Sequence, residues 1–250
     1  MTETIKAKLK EIEISENVRI LHCVESGSRA WGFASPDSDF DVRFIYVRPL
    51  EYYLRSNKTR DVIEWQLDNT LDINGWDLQK ALRLLYKSNP TIFEWNLSPI
   101  IYYTTEDWKD ISGIINNYFD KIAGLYHYLN MAKSNYRNFL QGEIVCLKKY
   151  FYVLRPILAC QWILKYGTPP PVLFNELVDD CLDWKLRPVV NDLIRMKRES
   201  PEIEEGPRIA EINDYLYENI ENITVRVAEP SHQKPHDWDT LNRIFISLLK

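Results

Sequence analysis

The rhythm of apolar and polar positions changes partway along the chain. Ile5, Leu9 and Ile12 recur at helical spacing and predict a short N-terminal helix. Residues 18–24 form a β-rich run that ends in the turn cluster Glu25-Ser26-Gly27-Ser28. A second cluster, Ser35-Pro36-Asp37-Ser38, leads into a strand over 39–47 whose first half alternates and which Pro49 ends. Strands over 61–67 and 70–74 follow, joined by a tight turn at Asp68-Asn69. Leu78, Ala81, Leu82 and Leu85 then mark one face of a helix over 77–87, closed by Asn89-Pro90.

After Trp108 the strand signal fades. Residues 111–140, 143–166, 172–182, 187–197, about 209–220 and about 237–249 carry helical periodicity, and 199–207 reads as an acidic loop. No internal repeat is visible. The order predicts an α+β chain: a small mixed β-sheet head over 1–108, then an α-helical bundle over 109–250.

Composition narrows the class. The chain has 250 residues, 45% of them hydrophobic and 27% charged, which fits a soluble globular protein and excludes a disordered or collagen-like one. With 31 basic and 36 acidic residues the formal charge is −5, so any contact with nucleic acid needs a local basic patch. Four dispersed cysteines without a CxxC pair exclude a zinc knuckle and predict buried free thiols in a reducing compartment. The first sixteen residues are charged and unlike a signal peptide, and the longest apolar run, 153–164, is broken by Arg155, Pro156 and Gln161. The expectation is a cytoplasmic protein without a membrane partner.

Glycine is scarce, eight in all, yet Gly27 and Gly32 lie close together. Gly27-Ser28 is followed, ten residues on, by Asp39-Phe40-Asp41 at the start of a strand. Residues two apart in a strand share a face, so both carboxylates emerge together and repel unless a cation lies between them. Mg²⁺ suits that place, because it takes one or two carboxylates together with phosphate oxygens. A Gly-Ser turn entering a helix offers backbone N–H groups to those phosphates. Asp72, between Leu71 and Ile73, is the expected third metal ligand; Glu64 sits on the preceding strand and Asp77 suits a helix cap. Alone, an Asp-x-Asp after Ser-Pro-Asp is ordinary turn chemistry. The joint spacing is what favours a metal-triphosphate site.

That text, Gly27-Ser28 to Asp39-Phe40-Asp41-Val42, resembles the signature of the DNA polymerase β-like nucleotidyltransferase superfamily. Residues 25–33 with Ser35-Pro36-Asp37-Ser38-Asp39 look like its branch associated with RNA ligases and RNA repair, often called RlaP. Gly75-Trp76-Asp77-Leu78, Asn89-Pro90-Thr91-Ile92-Phe93-Glu94-Trp95 and the segment 148–156 extend the likeness over about 18–162. The resemblance implies a polymerase β-like palm and transfer of NMP from an NTP, ATP being expected, to a hydroxyl with Mg²⁺ or Mn²⁺. The expected acceptor is an RNA end, with RNA ligase or repair proteins as partners. Gly27 and Ser28 would bind the β- and γ-phosphates, Asp39 and Asp41 the metals, and Asp72 the catalytic metal and the attacking hydroxyl's proton. A protein side chain, a small molecule of aminoglycoside type, and a non-catalytic NTP sensor are the alternatives.

Other residues keep two readings. Arg29 suits a phosphate or a salt bridge to Asp37 or Glu25. Lys148, Tyr152 and Arg155 fall on one helical face with Lys149 beside it. In relatives with a following helical domain such a face meets the nucleotide; the alternative is a solvated surface. Trp31 suits the core better than a base, and His22 reads as a core histidine. Arg195, Lys197 and Arg198, with Lys185 and Arg187 upstream, suit a solvated helix end better than an RNA track. His232 and His236 flank Pro235, against helical zinc-ligand geometry.

Overall fold

A computed structural model describes residues 1–57, 59–68, 70–199, 205–227 and 237–249. His232 and His236 lie outside them. The chain forms two compact units, neither contiguous in sequence. The first takes in Met1–Ala30, Asp39–Tyr118 and the C-terminal helix; the second takes in Trp31–Ser38 and the described residues 119–227.

The first unit is built on α1 (Thr2–Glu16), β1 (Arg19–Glu25), the one-turn α2 (Gly27–Ala30), β2 (Phe40–Val47), α3 (Leu50–Tyr53), β3 (Val62–Asp68) and β4 (Leu71–Asp77). It continues through α4 (Leu78–Tyr86), α5 (Pro90–Asn96), β5 (Ile101–Thr104) and α6 (Glu106–Ile115). The five strands make one mixed sheet in the order β3-β4-β2-β1-β5, with β2 and β4 parallel and the other pairs antiparallel. The apolar stripe of α1 (Ile5, Leu9, Ile12) buries against Ile20, Cys23, Val42, Phe44 and Tyr46 on one face of the sheet. On the other face His22 is buried and stacks on Trp108 of α6, ring centroids 4.6 Å apart. The expected domain boundary at 108/109 falls inside that helix. Asp77 caps α4 as expected, its side chain accepting from the Gln79 N–H.

The second unit holds α7 (Lys121–Phe139), β6 (Ile144–Cys146), a 3₁₀ turn (Leu147–Tyr150), α8 (Phe151–Tyr166), α9 (Phe174–Cys181), α10 (Arg187–Glu199), β7 (Glu205–Pro207) and α11 (Ala210–Val227). The apolar α8 is its axis, with ten buried residues. The helix α12 (Trp238–Leu248) belongs to the first unit, where Trp238 stacks on Tyr86 at 3.9 Å.

The sequence expectations need three corrections. The helix over 111–140 is broken at 116–120, where Asp120 caps a new helix through the Ala123 N–H. The helix over 143–166 begins only at Phe151; its first part is β6, which pairs with β7 in the segment read as a loop. The strand β5 and the helix α5, begun by Asn89-Pro90, were not expected. Of the four cysteines, Cys23 and Cys160 are buried and Cys146 and Cys181 only partly so. No helix among the described residues is long and apolar enough to cross a membrane.

Candidate functional site

Register, not sequence separation, brings the carboxylates together. Asp41 of β2 lies opposite Asp72 of β4 in the parallel ladder. Leu71 and Ile73 turn into the core and Asp72 turns out. Arg43 shares the face of Asp41, and its Nη2 donates to both Asp41 Oδ1 and Asp72 Oδ2 at 2.8 Å. Its Nη1 donates to the backbone carbonyls of Val42 at 3.1 Å and Asp72 at 3.0 Å. The two carboxylates are therefore aimed at one positive group.

Gly27 explains how Asp41 is held from behind. Its φ is +58°, a left-handed backbone that favours glycine. A Cβ there would stand 2.0 Å from Asp41 Oδ2 and 2.9 Å from its Cγ. The Ser26 N–H donates to the Asp41 carbonyl at 2.8 Å, stitching the turn to the strand. Thus the glycine exists where the Asp41 carboxylate lies against the turn, and the two halves of the signature meet.

Glu25 is the buried support that sequence reasoning missed. Its Oε1 accepts the Asp41 N–H at 2.7 Å, and Oε2 accepts the Tyr102 hydroxyl. Burial pushes the Glu25 carboxyl up, opposed by those hydrogen bonds. Burial also raises Asp41, with Arg43 opposing and the charges of Asp39 and Asp72 adding to the rise. Glu25 was visible as the residue ending β1 beside the turn, but only the approach of Tyr102 from unforeseen β5 gives it a role.

Asp39 is exposed and stands one residue ahead of β2. Arg29 donates Nε to its carbonyl at 3.0 Å and lays its guanidinium over the Phe40 ring at 3.7 Å. Arg29 thus fixes the entry to the acidic strand, and its charge favours the Glu25 carboxylate. Ser28 lies in the first turn of α2. Among the described residues no three His, Cys, Asp or Glu side chains gather closely enough to hold a metal ion. The expected triad therefore resolves into a converging pair, Asp41 and Asp72, with Asp39 in electrostatic reach. A pair of carboxylates fits Mg²⁺, which takes one or two carboxylates and fills the rest of its shell with phosphate oxygens and water rather than an all-protein cage.

The other expected nucleotide contacts lie in the second unit. Lys148 and Lys149 belong to the 3₁₀ turn and Tyr152 to α8, so the expected continuous α-helical stripe is absent. The Lys149 ammonium lies 4.3 Å from the Phe139 ring centroid and 4.8 Å from that of Tyr152. Arg155 is buried, its guanidinium 4.7 Å from the Trp31 ring.

The spacer between the two halves of the signature is no loose loop. Phe33 is buried in the second unit's core, 4.6 Å from Phe151 and 5.3 Å from Phe174 between centroids. The Phe174 N–H donates to the Trp31 carbonyl at 3.0 Å. Arg198 donates to the Gly32 carbonyl at 2.7 Å and Lys197 to Ser35 Oγ at 2.9 Å. Two members of the basic cluster are thereby spent on holding the spacer, and Arg195 pairs with Asp192 on its own helix.

Similar proteins place the chain. "Uncharacterized protein YcgL" of Bacillus subtilis (strain 168) is 45% identical over 255 aligned positions, covering all of this chain and 97% of that one. "Uncharacterized protein MJ0002" of Methanocaldococcus jannaschii is 26% identical over 199 positions, 78% of this chain and 79% of that one. Among solved structures, a nucleotidyltransferase-like protein from Exiguobacterium sibiricum 255-15 aligns with 91% of this chain and 74% of that one at 12% identity. The TM-score of that alignment is 0.34. The family model described as "RlaP: RNA repair pathway DNA polymerase beta family" matches residues 1–247. The chain belongs to that family, the RlaP branch of polymerase β-type nucleotidyltransferases.

Proposed function

We propose that the protein transfers NMP from an NTP, ATP first among candidates, to the hydroxyl of an RNA end. The observation that carries this reading is the convergence of Asp41 and Asp72 on one cationic position, with Gly27 packed against the Asp41 carboxylate. Family membership supplies the reaction class.

In the transfer, the acceptor hydroxyl oxygen bonds to the α-phosphorus and the bond from that phosphorus to the bridging oxygen of the β-phosphate breaks. Pyrophosphate leaves, and the hydroxyl proton passes to the Asp72 carboxylate, whose side chain is 51% exposed and so open to an acceptor. Asp41 and Asp72, with Asp39 beside them, would hold Mg²⁺ or Mn²⁺. When bound, the ion would neutralise charge on the triphosphate and make the attacking hydroxyl more acidic. Gly27 and Ser28 offer backbone N–H groups at the start of α2 to the β- and γ-phosphates. Glu25 and Arg29 fix the backbone on either side of the acidic strand's first residues. Arg43 must leave its shared hydrogen bonds for a metal to take them, so it competes with the ion.

The test is calorimetric binding of each of the four NTPs with Mg²⁺, on wild type and Asp41→Asn. Transfer is then read from α-labelled NTP offered to RNA 3′ ends, to proteins and to aminoglycosides. Metal-dependent binding lost in the variant, followed by labelled RNA, is the expected result. Label on protein or aminoglycoside alone would replace the RNA reading, and binding without any transfer would make the protein an NTP sensor.

A further inference from the structure

We infer that the second unit carries a stacking platform for single-stranded RNA, made by Phe139, Lys149 and Tyr152 at the end of α7 and the start of α8. The inference rests on the RNA reading above and names the surface that would hold the acceptor strand. It assigns Lys149 and Tyr152 to that strand rather than to the donor NTP.

Three observations meet there. The first is the cation-aromatic sandwich: the Lys149 ammonium lies 4.3 Å from the Phe139 centroid and 4.8 Å from the Tyr152 centroid, while the two residues stay 40% and 38% exposed. Exposed rings beside a fixed cation are the parts single strands use, because every base has a face to stack and every linkage a charge to neutralise.

The second is charge. Residues 131–149 hold four basic residues, Lys133, Arg137, Lys148 and Lys149, and one acidic one, Glu143, within a chain of net charge −5. Lys133, Arg137 and Lys148 lie in the same stretch as Lys149, and Arg137 and Lys148 are exposed. This is the local basic patch that the acidic composition demands of any nucleic-acid contact. The alternative patch around α10 is spent on holding the spacer.

The third is that Tyr152 is pinned in place. Pro156, inside α8, has no N–H to give the carbonyl four residues back, which is that of Tyr152. Asn135 of α7 supplies the missing donor through Nδ2 at 3.2 Å. Met131, Asn135 and Phe139 follow one another along one side of α7, a row of about 12 Å at the helical rise, enough for several stacked bases. Met131 at one end of that row is also exposed, 37%.

The experiment is fluorescence anisotropy of an end-labelled single-stranded RNA of about twelve nucleotides, with no NTP present. Wild type, Phe139→Ala, Tyr152→Ala, Tyr152→Phe and Lys149→Gln are compared at several salt concentrations, each checked for an unchanged melting temperature. Phe139→Ala and Tyr152→Ala are expected to weaken binding about tenfold each, and Tyr152→Phe to keep it. Lys149→Gln should lower the salt slope by about 0.7. Phe139→Ala should bind NTP as wild type does, which separates this surface from the donor site. No RNA binding by wild type, equal binding by the alanine variants, or a preference for duplex RNA would overturn the proposal. So would loss of NTP binding in Tyr152→Ala with RNA binding kept, which would return Tyr152 to the donor.

Discussion

Replacing Gly27 by alanine tests the site from its least expected side. The new Cβ would stand 2.0 Å from Asp41 Oδ2, so the carboxylate must move. Moving it breaks the hydrogen bond to Arg43 Nη2, now 2.8 Å long, worth about 1.5–3 kcal/mol for a charged partner. The backbone at φ +58° adds its own cost, about 1–2 kcal/mol for a residue with a Cβ. Together the loss is about 2.5–5 kcal/mol, or roughly 10 °C in melting temperature for a chain of this size. Metal-dependent NTP binding should vanish in the same variant. Gly75→Ala is the control: its Cβ would meet Phe44 at 2.2 Å inside the sheet's core, costing about 1–3 kcal/mol by overpacking. Well below its melting temperature that variant should bind NTP normally. In an Asp41→Ala background Gly27→Ala should cost only the backbone part, since the collision is gone. Scanning calorimetry and NTP titration on these four proteins decide the matter. A Gly27→Ala protein that melts and binds like wild type would refute the argument that the turn is shaped around the Asp41 carboxylate.

Burial lowers the His22 imidazole to about 4 from its ordinary 6.5, with the Trp95 backbone opposing. At neutral pH both folded and unfolded forms are uncharged. As pH falls from 6.5 towards 4 only the unfolded chain takes the proton, so stability falls by up to about 3 kcal/mol over that window; in His22→Asn the drop in melting temperature across it should shrink correspondingly. Arg43→Met leaves Asp41 and Asp72 facing one another without their shared cation, and should cost about 1–3 kcal/mol. Adding Mn²⁺ should recover more melting temperature in that variant than in wild type; equal recovery would show that Arg43 and the ion do not compete. Phe33→Ala empties a buried aromatic position in the second unit and should cost about 3–5 kcal/mol by calorimetry; a loss below 1 kcal/mol would show that the spacer is not part of that core.

The strands β1 to β4 and most helices are legible because they carry clean periods: α1 and α4 each show one apolar stripe, and Asp72 alternates with Leu71 and Ile73. Tertiary partners decided what was missed. A four-residue edge strand such as β5 has too few positions to show alternation. The three-residue β6 exists only because β7 pairs with it from sixty residues away. At the site, Gly27, Asp41 and Asp72 stood out by type and spacing, but Arg43 and Glu25 did not. An arginine in an alternating strand and a glutamate before a turn are ordinary until register sets one between two aspartates and the other beneath one.

The spacer anchored by Phe33 changes what the ten-residue interval in the signature measures. Ala30 and Asp39 belong to one unit and everything between them to the other. The interval is thus the length of a loan: the sheet lends the helices eight residues, and takes the chain back in time to begin the acidic strand. An insertion there would have to satisfy two cores at once, whereas one at an exposed helix end need satisfy neither. A cut after residue 108 would separate Phe33 from Phe151 and Phe174 and leave the spacer without the core it fills.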